Sequence, residues 1–460
     1  MKNILIYGAG KASKKLSKEI VKSGINIKGI ITNQLKKKKF FNNIQVYRES
    51  DLSKVTSKDL IDTIIFAVPS INNKKKIQIL NKLNINNIDL LTLNDEVILK
   101  NHVGLKDINE IAPEYILKKK FIKNEIKKNK FKNQIILITG GCGSIGRSLT
   151  EKILLLKPKR VIINGLSEFG IYKQSLKIKL ILKKYKLKVK VDFLIGNLTN
   201  EFFIKNCLLN KKINYIFHCA AYKHVDILEN NILEGYYNNI NSTLNLLKFF
   251  KNNSDLKSFL LISTDKAYKS KNLMGATKRV CEKLVILANS KKTKQKFKVV
   301  RFGNVFASDG SAIPKIFNQI QNNEKVTITN LKMERYFLTM SEACELIISV
   351  STFDKINGDI MFFKMGKPIR ILDIAKKISE YFGKKLQIKI IGVRQGEKIR
   401  EKLHYNTRKL KTSNPNIYGI NDKNFITKDK MKLLLDQMKH FYEKGDSKNL
   451  KKLLIGFSKK

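Results

Sequence analysis

What this chain has least of is negative charge. Against 91 Lys and Arg it sets 38 Asp and Glu, a formal net charge of +53 over 460 residues. An excess of that size suggests a nucleic-acid or membrane-surface partner. The lysines, however, are spread through the whole chain with abundant Ile and Asn. No basic block carries the interleaved aromatics of a single-strand binder. The excess therefore reads as compositional, and no nucleic acid is expected as a partner. Its field still favours a polyanionic ligand. Cysteine is scarce too. Cys142, Cys207, Cys219, Cys281 and Cys344 show neither a CxxC nor any metal spacing, and the five histidines are scattered, so no metal site is expected. An odd cysteine count without a secretory signal fits reduced thiols in a cytoplasm. Also missing is an uninterrupted apolar run of the roughly 20 residues that cross a bilayer. No transmembrane segment is expected. The expected location is cytoplasmic, at most peripheral at the inner membrane face.

What is present alternates. Ile4-Leu5-Ile6-Tyr7 reads as a strand, Gly8-Ala9-Gly10 as a tight turn, and a helical pattern begins near Ala12. Ile27 to Ile31 and Ile64 to Val68 are further strands. Strands alternating with helices predict a parallel sheet over residues 1–110. The nucleotide signature of this sheet is damaged. Ser13 stands where a third glycine would be, and no carboxylate follows the second strand, which ends in Thr32-Asn33. A structural or regulatory role is the expectation for it. Residues 111–132 read as a lysine-rich connector opening around Pro113.

The second unit, residues 133–310, opens with a sound signature. The strand Ile135 to Ile138 runs into Thr139-Gly140-Gly141-Cys142-Gly143-Ser144-Ile145-Gly146 and then a helical pattern. Gly140 and Gly143 allow tight turning and close backbone approach. Gly146 lets helix and strand pack, and the helix N-terminus, with Ser144 and Ile145, faces a pyrophosphate. The next strand, Arg160 to Ile163, ends in Asn164 where an NAD enzyme places a carboxylate. Without that charge a 2′-phosphate is repelled less, so the cofactor is NADP or NAD, with Arg160 or a nearby lysine as a candidate contact. Asn197 follows another strand and suits an adenine edge. Ala220-Ala221 would let a cofactor lie against the backbone, with Lys223 and His224 on the loop beyond.

The stretch Ser263-Thr264-Asp265-Lys266 ends an apolar strand, and Met274 to Lys278 follows on a predicted helix. Carboxyl ends of parallel strands carry sites, and the spacing puts Met274 and Lys278 on one helical face. Past residue 310 the periodicity becomes mixed. Arg301, Asn304, Arg335, Arg394 and Glu397 are candidate substrate contacts, since arginine grips phosphate with paired donors. The fold class is thus α/β: two Rossmann-like doubly wound parallel sheets plus a smaller mixed α/β substrate-binding region over 311–460.

These motifs, in this order, resemble the extended short-chain dehydrogenase/reductases. Within them they are similar to the CapD-like nucleotide-sugar dehydratases of bacterial polysaccharide biosynthesis. The resemblance runs from about residue 1 to 405 and is most specific at 139–146, 220–225, 263–267, 274–279, 301–305, 333–337 and 394–398. It implies 4,6-dehydration of UDP-N-acetylglucosamine, with a bound NAD(P) reduced and reoxidised in one turnover. A UDP-sugar is then the substrate, and a homo-oligomer the expected assembly. Met274 occupies the place of the usual tyrosine, which resembles the long form of the group. That form often carries N-terminal membrane helices, and a variant without them is expected here. Asn164 and Asn197 replace usual aspartates.

The chemistry distributes over few side chains. Met274 has no titratable proton and is no base for the C4 hydroxyl. Thr264 is a candidate hydrogen-bond partner of the C4 oxygen, and Lys278 a holder of the nicotinamide ribose. Asp265 is the candidate acid for the C6 oxygen and must then carry a proton. Lys266 is the candidate C5 base and must then be neutral. An enclosed site favours both states, whereas an adjacent ion pair opposes them. Asp265, Lys266 or a water relay can serve as the C4 base. Two alternatives stand beside the dehydratase: a nucleotide-sugar epimerase, and a non-catalytic nucleotide-binding regulatory protein.

Overall fold

The structure, a computed structural model, describes residues 3–22, 26–32, 40–41, 43–51, 61, 63–68, 89–93, 108–110, 117 and 128–459, apart from 290–293, 355–357, 382–383, 395, 402–407 and 423–425. The expected connector at 111–132 lies largely outside the described residues. Contacts divide the chain into two units. One takes 1–120 with 315–327 and 372–389, the other 121–314 with 328–371 and 390–460.

The first unit holds strands β1 (Asn3–Tyr7), β2 (Asn26–Thr32), β3 (Phe40–Phe41), β4 (Ile44–Arg48), β5 (Thr63–Phe66), β6 (Asp89–Leu93) and β7 (Ile108–Glu110). They order as β3-β4-β2-β1-β5-β6-β7. The five central strands are parallel, and β3 and β7 pair antiparallel at the edges. Leu16 and Ile20 of the helix Lys11–Lys22 bury against Ile4, Ile6, Ile30 and Ile65. At the turn after β1, Gly8 has φ +110°, and the Ser13 hydroxyl donates to its carbonyl at 2.5 Å. The residue in the third-glycine place thus stitches the turn itself.

The second unit is built on β8 (Ile135–Thr139), β9 (Arg160–Gly165), β10 (Lys190–Ile195), β11 (Tyr215–His218), β12 (Ser258–Thr264) and β13 (Lys296–Phe302). Their order is β10-β9-β8-β11-β12-β13, followed by Ile360–Phe363, Ile417–Ile420 and Leu410–Lys411. The first seven run parallel and the last two pair antiparallel. Strand order reverses between β8 and β11, the switch point where doubly wound sheets bind nucleotides. The expected boundary at 310 does not separate two sheets, because three strands from beyond it complete this one.

Apolar runs covered on both faces explain the strands. Leu137 and Ile162 enter one core with the helices Ser242–Phe250 and Leu273–Ala288. Their neighbours Ile136, Ile138 and Ile163 enter the other, with the helices Ser144–Leu154 and Met340–Ser351. Successive side chains alternate faces, as the period of two requires.

The rim of this sheet buries charge. Glu282, fully buried, accepts from Ser263 Oγ at 2.6 Å and from Arg301 Nε at 2.8 Å, and pairs with Arg279 at 3.3 Å. Asp422 takes two bonds from Arg279, at 2.5 and 2.9 Å, and one contact from Lys283 at 2.8 Å. Burial alone would raise the Asp422 carboxyl, but the bonds and charge of Arg279, joined by Lys283, hold it down at about 2. A depressed folded value stabilises above the unfolded carboxylate range, near 3.9, and that stability is lost as pH falls through about 2. Acid titration followed by circular dichroism should show Asp422→Asn lacking on the order of 2 kcal/mol at neutral pH, with the deficit shrinking between about pH 4 and pH 2. A deficit that does not depend on pH would sink this assignment.

Candidate active site

The glycine turn is shaped by contact. Gly140 has φ +61°, and a Cβ there would sit 2.7 Å from the Ala220 Cα and N. A Cβ on Gly146 would collide with the Gly140 carbonyl. Gly143 caps the helix Ser144–Leu154 with no side-chain cap bond, and no acid stands in its first turn. Free N–H groups at a helix start beside bare backbone suit a pyrophosphate, so these residues fit a dinucleotide. Replacing Gly140 with alanine should weaken NADH binding roughly tenfold, since a side chain in left-handed backbone costs about 1–2 kcal/mol. Fluorescence titration reads this directly. An unchanged Kd would move the pyrophosphate elsewhere.

The carboxyl ends of β8 and β11 are locked by a neutral histidine. His218 meets Thr139 Oγ1 through Nδ1 at 2.8 Å and Thr243 Oγ1 through Nε2 at 3.0 Å. Burial, then the nearby Lys278 charge, pushes it down to about 3. Beside it Asn239, buried, accepts from the Tyr222 N–H at 2.8 Å and donates to Tyr222 O and Thr277 Oγ1, each at 3.1 Å. It sits in a π-helical turn, Tyr237–Asn241, a local rewinding common at functional sites. Sequence reading missed Asn239. Its signal was a polar residue on the apolar face of a helix.

Thr264, Asp265 and Lys266 stand at the carboxyl end of β12. Asp265 is fully buried. Its Oδ1 accepts from Thr264 Oγ1 at 2.9 Å and Lys266 Nζ at 3.0 Å. Its Oδ2 is buried and has no hydrogen-bond partner among the described residues. Lys266 Nζ also lies 3.4 Å from Asn304 Oδ1. The helix Leu273–Ala288 starts on Asn272, whose side chain accepts from Gly275 N at 2.8 Å. It buries Met274 in the apolar core and Lys278 near His218 and Cys219. Burial lowers the Lys278 ammonium, opposed by Cys281, Cys219 and Glu282.

The other candidates make contacts within the protein. Arg301 is 1% exposed, held by Glu282 and lying over the Phe362 ring at 5.4 Å. It is corrected from a substrate contact to a buried structural cation. Arg160 starts β9, at the end of the strand opposite Asn164, and pairs with Asp192 at 3.8 Å, so it is no contact for a 2′-phosphate. The Asn164 amide donates to Gly196 O at 3.0 Å. The Asn197 side chain accepts from Thr199 N at 2.9 Å, within its own turn. Ser144 Oγ accepts from Asp309 N at 2.9 Å, Lys223 Nζ donates to Asp309 O at 2.7 Å, and Arg147 pairs with the Asp309 carboxylate. Arg335, buried, donates to Glu334 O and Ile399 O and meets Glu397 at 3.3 Å. Arg394 pairs with Asp226 on the surface.

The family described as polysaccharide biosynthesis protein matches residues 136–422. The chain belongs to this family. It is a nucleotide-sugar-modifying enzyme of the epimerase/dehydratase class. The capsular polysaccharide biosynthesis protein CapD of Staphylococcus aureus is 31% identical over 87% of this chain and 68% of its own length. A UDP-glucose 4-epimerase of Rickettsia bellii is 31% identical over 71% of this chain and 96% of its own. Among solved structures, Pen from Bacillus thuringiensis is 29% identical over 67% of this chain and 98% of its own, with TM-score 0.56. DesIV of Streptomyces venezuelae, a dTDP-glucose 4,6-dehydratase solved with NAD, shares the fold at TM-score 0.51 and 17% identity, over 59% of this chain and 88% of its own. Among the described residues, no helix is long and apolar enough to cross a membrane.

Proposed function

We propose that this protein is an NAD(P)-dependent UDP-N-acetylglucosamine 4,6-dehydratase that makes a UDP-4-keto-6-deoxy-N-acetylhexosamine for surface polysaccharide. The observation that carries the reading is the ion pair of buried Asp265 with partly exposed Lys266 at the end of β12, with a methionine where a tyrosine base would stand. When bound, NAD(P) supplies the transient oxidation at C4 and the reduction at C6. Thr264 hydrogen-bonds the C4 oxygen. Lys266 takes the C5 proton, which the neighbouring ketone has acidified. Asp265 gives its proton to the C6 oxygen, which leaves as water. The 3.0 Å contact between Lys266 Nζ and Asp265 Oδ1 then lets the captured proton pass back, resetting both. Lys278 anchors the nicotinamide ribose. The C4 hydroxyl proton leaves along a water relay, since Asp265 holds its proton for C6 and Lys266 stays free for C5; one proton returns to C5 once hydride has reached C6, so the net loss is one water.

A second reading, a 4-epimerase, is favoured by the name of the Rickettsia relative. An epimerase inverts one carbon and needs no acid for a leaving hydroxyl. The Asp265–Lys266 pair therefore favours the dehydratase. Incubation with UDP-N-acetylglucosamine in deuterated water decides between them. Dehydration predicts loss of one water by mass spectrometry and deuterium at C5 by proton NMR. A product of unchanged mass would establish the epimerase, and unchanged substrate would remove both.

A further inference from the structure

The centre contains a carboxyl group that the scheme above does not use. Glu401 lies in the segment after the Arg394–Lys398 turn and is 5% exposed. Its backbone is pinned where Arg400 bridges to Glu334 and pairs with its side chain. Its Oε2 lies 3.7 Å from Lys398 Nζ and has no hydrogen-bond partner among the described residues. Lys398 itself donates to Tyr268 O at 2.8 Å. The charged groups facing Glu401 among the described residues are Lys266 and Asp265 from the end of β12, Lys398 beside it, and Arg335 from the short strand Glu334–Arg335. Asp265 and Glu401 are thus two buried carboxyl groups, each with an orphan oxygen among the described residues.

A buried oxygen without a donor is costly for a carboxylate and much less so for a carboxylic acid. Two carboxyl groups in one enclosed site also resist joint ionisation. Asp265 already takes two donors on one oxygen, Thr264 and Lys266. Burial raises the Glu401 carboxyl; Lys266 opposes this, Asp265 adds to it, and Lys398 and Arg335 oppose it. Lys398 is lowered by burial, against the pull of Glu401 and Asp265.

We propose that Glu401 is a positioning residue that carries a proton in the resting site, so that Lys266 faces one carboxylate rather than two. This rests on the dehydratase reading for its catalytic consequence. A second carboxylate would hold Lys266 as an ammonium. With Glu401 neutral, the Lys266 proton can cross to Asp265, leaving an amine to take the C5 proton and an acid to expel water. The count balances: the proton from C5 ends on Lys266, the one on Asp265 ends in the water, transfer from Lys266 to Asp265 restores the acid–amine pair, and the proton lost from the C4 hydroxyl is matched by the one that returns to C5 after hydride reaches C6. Glu401 keeps its own proton throughout.

The test uses the full-length protein and two readouts. The wild type should lose kcat as pH rises through the Glu401 ionisation, with KM steady. Glu401→Gln, permanently neutral, should keep kcat within about threefold at neutral pH and lose that alkaline fall. Glu401→Asp should restore a fall. A Glu401→Gln profile that matches wild type overturns the proposal, as does a loss of kcat above tenfold in a folded variant. Infrared difference spectra without substrate separate this outcome from failure of the dehydratase reading. The wild type should show a protonated-carboxyl band at neutral pH that Glu401→Gln removes; its absence from the wild type overturns the proposal, whatever the enzyme's reaction and even if the variant does not fold.

Discussion

Replacing Lys266 with alanine is expected to lower kcat on UDP-N-acetylglucosamine by roughly 10²- to 10⁴-fold, the usual contribution of a positioned acid–base group. KM should change little, because the role proposed for Lys266 is proton transfer at C5 rather than grip on the diphosphate. Asp265→Asn should fall by a similar factor. The double variant should lose far less than the product of the two, since the residues act as one unit through their 3.0 Å contact. Deuterium uptake at C5 gives a second reading. Lys266→Ala should abolish it, while Asp265→Asn should retain part of it, because its base survives. Full activity in both single variants would break the site assignment while leaving the family intact.

The largest expected effect on stability lies at Glu282. Its carboxylate, fully buried, is shared by Ser263, Arg301 and Arg279, and the two arginines are 1% and 2% exposed. Truncation to alanine removes the buried carboxylate that Arg301 and Arg279 share. Breaking a buried pair from one side costs roughly 3–5 kcal/mol. Urea denaturation should show that loss as a lower midpoint with little change in slope. A loss under about 1 kcal/mol would mean that water reaches the cluster. Because Ser263 precedes Thr264 on β12, turnover should fall alongside.

Much of this molecule was legible in its sequence because it is local. The period of apolar residues sets which faces of β8 to β13 are buried. Glycines 140, 143 and 146 are fixed by their own turn and its helix. The spacing from Met274 to Lys278 is settled within a few residues. The antiparallel edge strands were not legible, since Phe40–Phe41 and Leu410–Lys411 are too short to carry a period. Nor was the fate of Arg301. It ends a strand pointing at the proposed site, and only Glu282, on another element, and the Phe362 ring show where its charge is spent.

At the centre, the stretch Thr264-Asp265-Lys266 by itself fixed an acid, an amine and a hydroxyl at a strand end. The sequence could also establish that Met274 is no base, because that is a property of one side chain. It could not say how an acid and an amine side by side escape a permanent ion pair. That depends on burial and on every charge within reach, and those come from elements far apart in the chain. Folding supplies them: a buried Asp265, Lys398 and Arg335 around it, and Glu401 from a segment 136 positions away. Sequence sets which groups can titrate; only the enclosed tertiary arrangement decides which of them hold a proton, because desolvation and through-space charge have no sequence period.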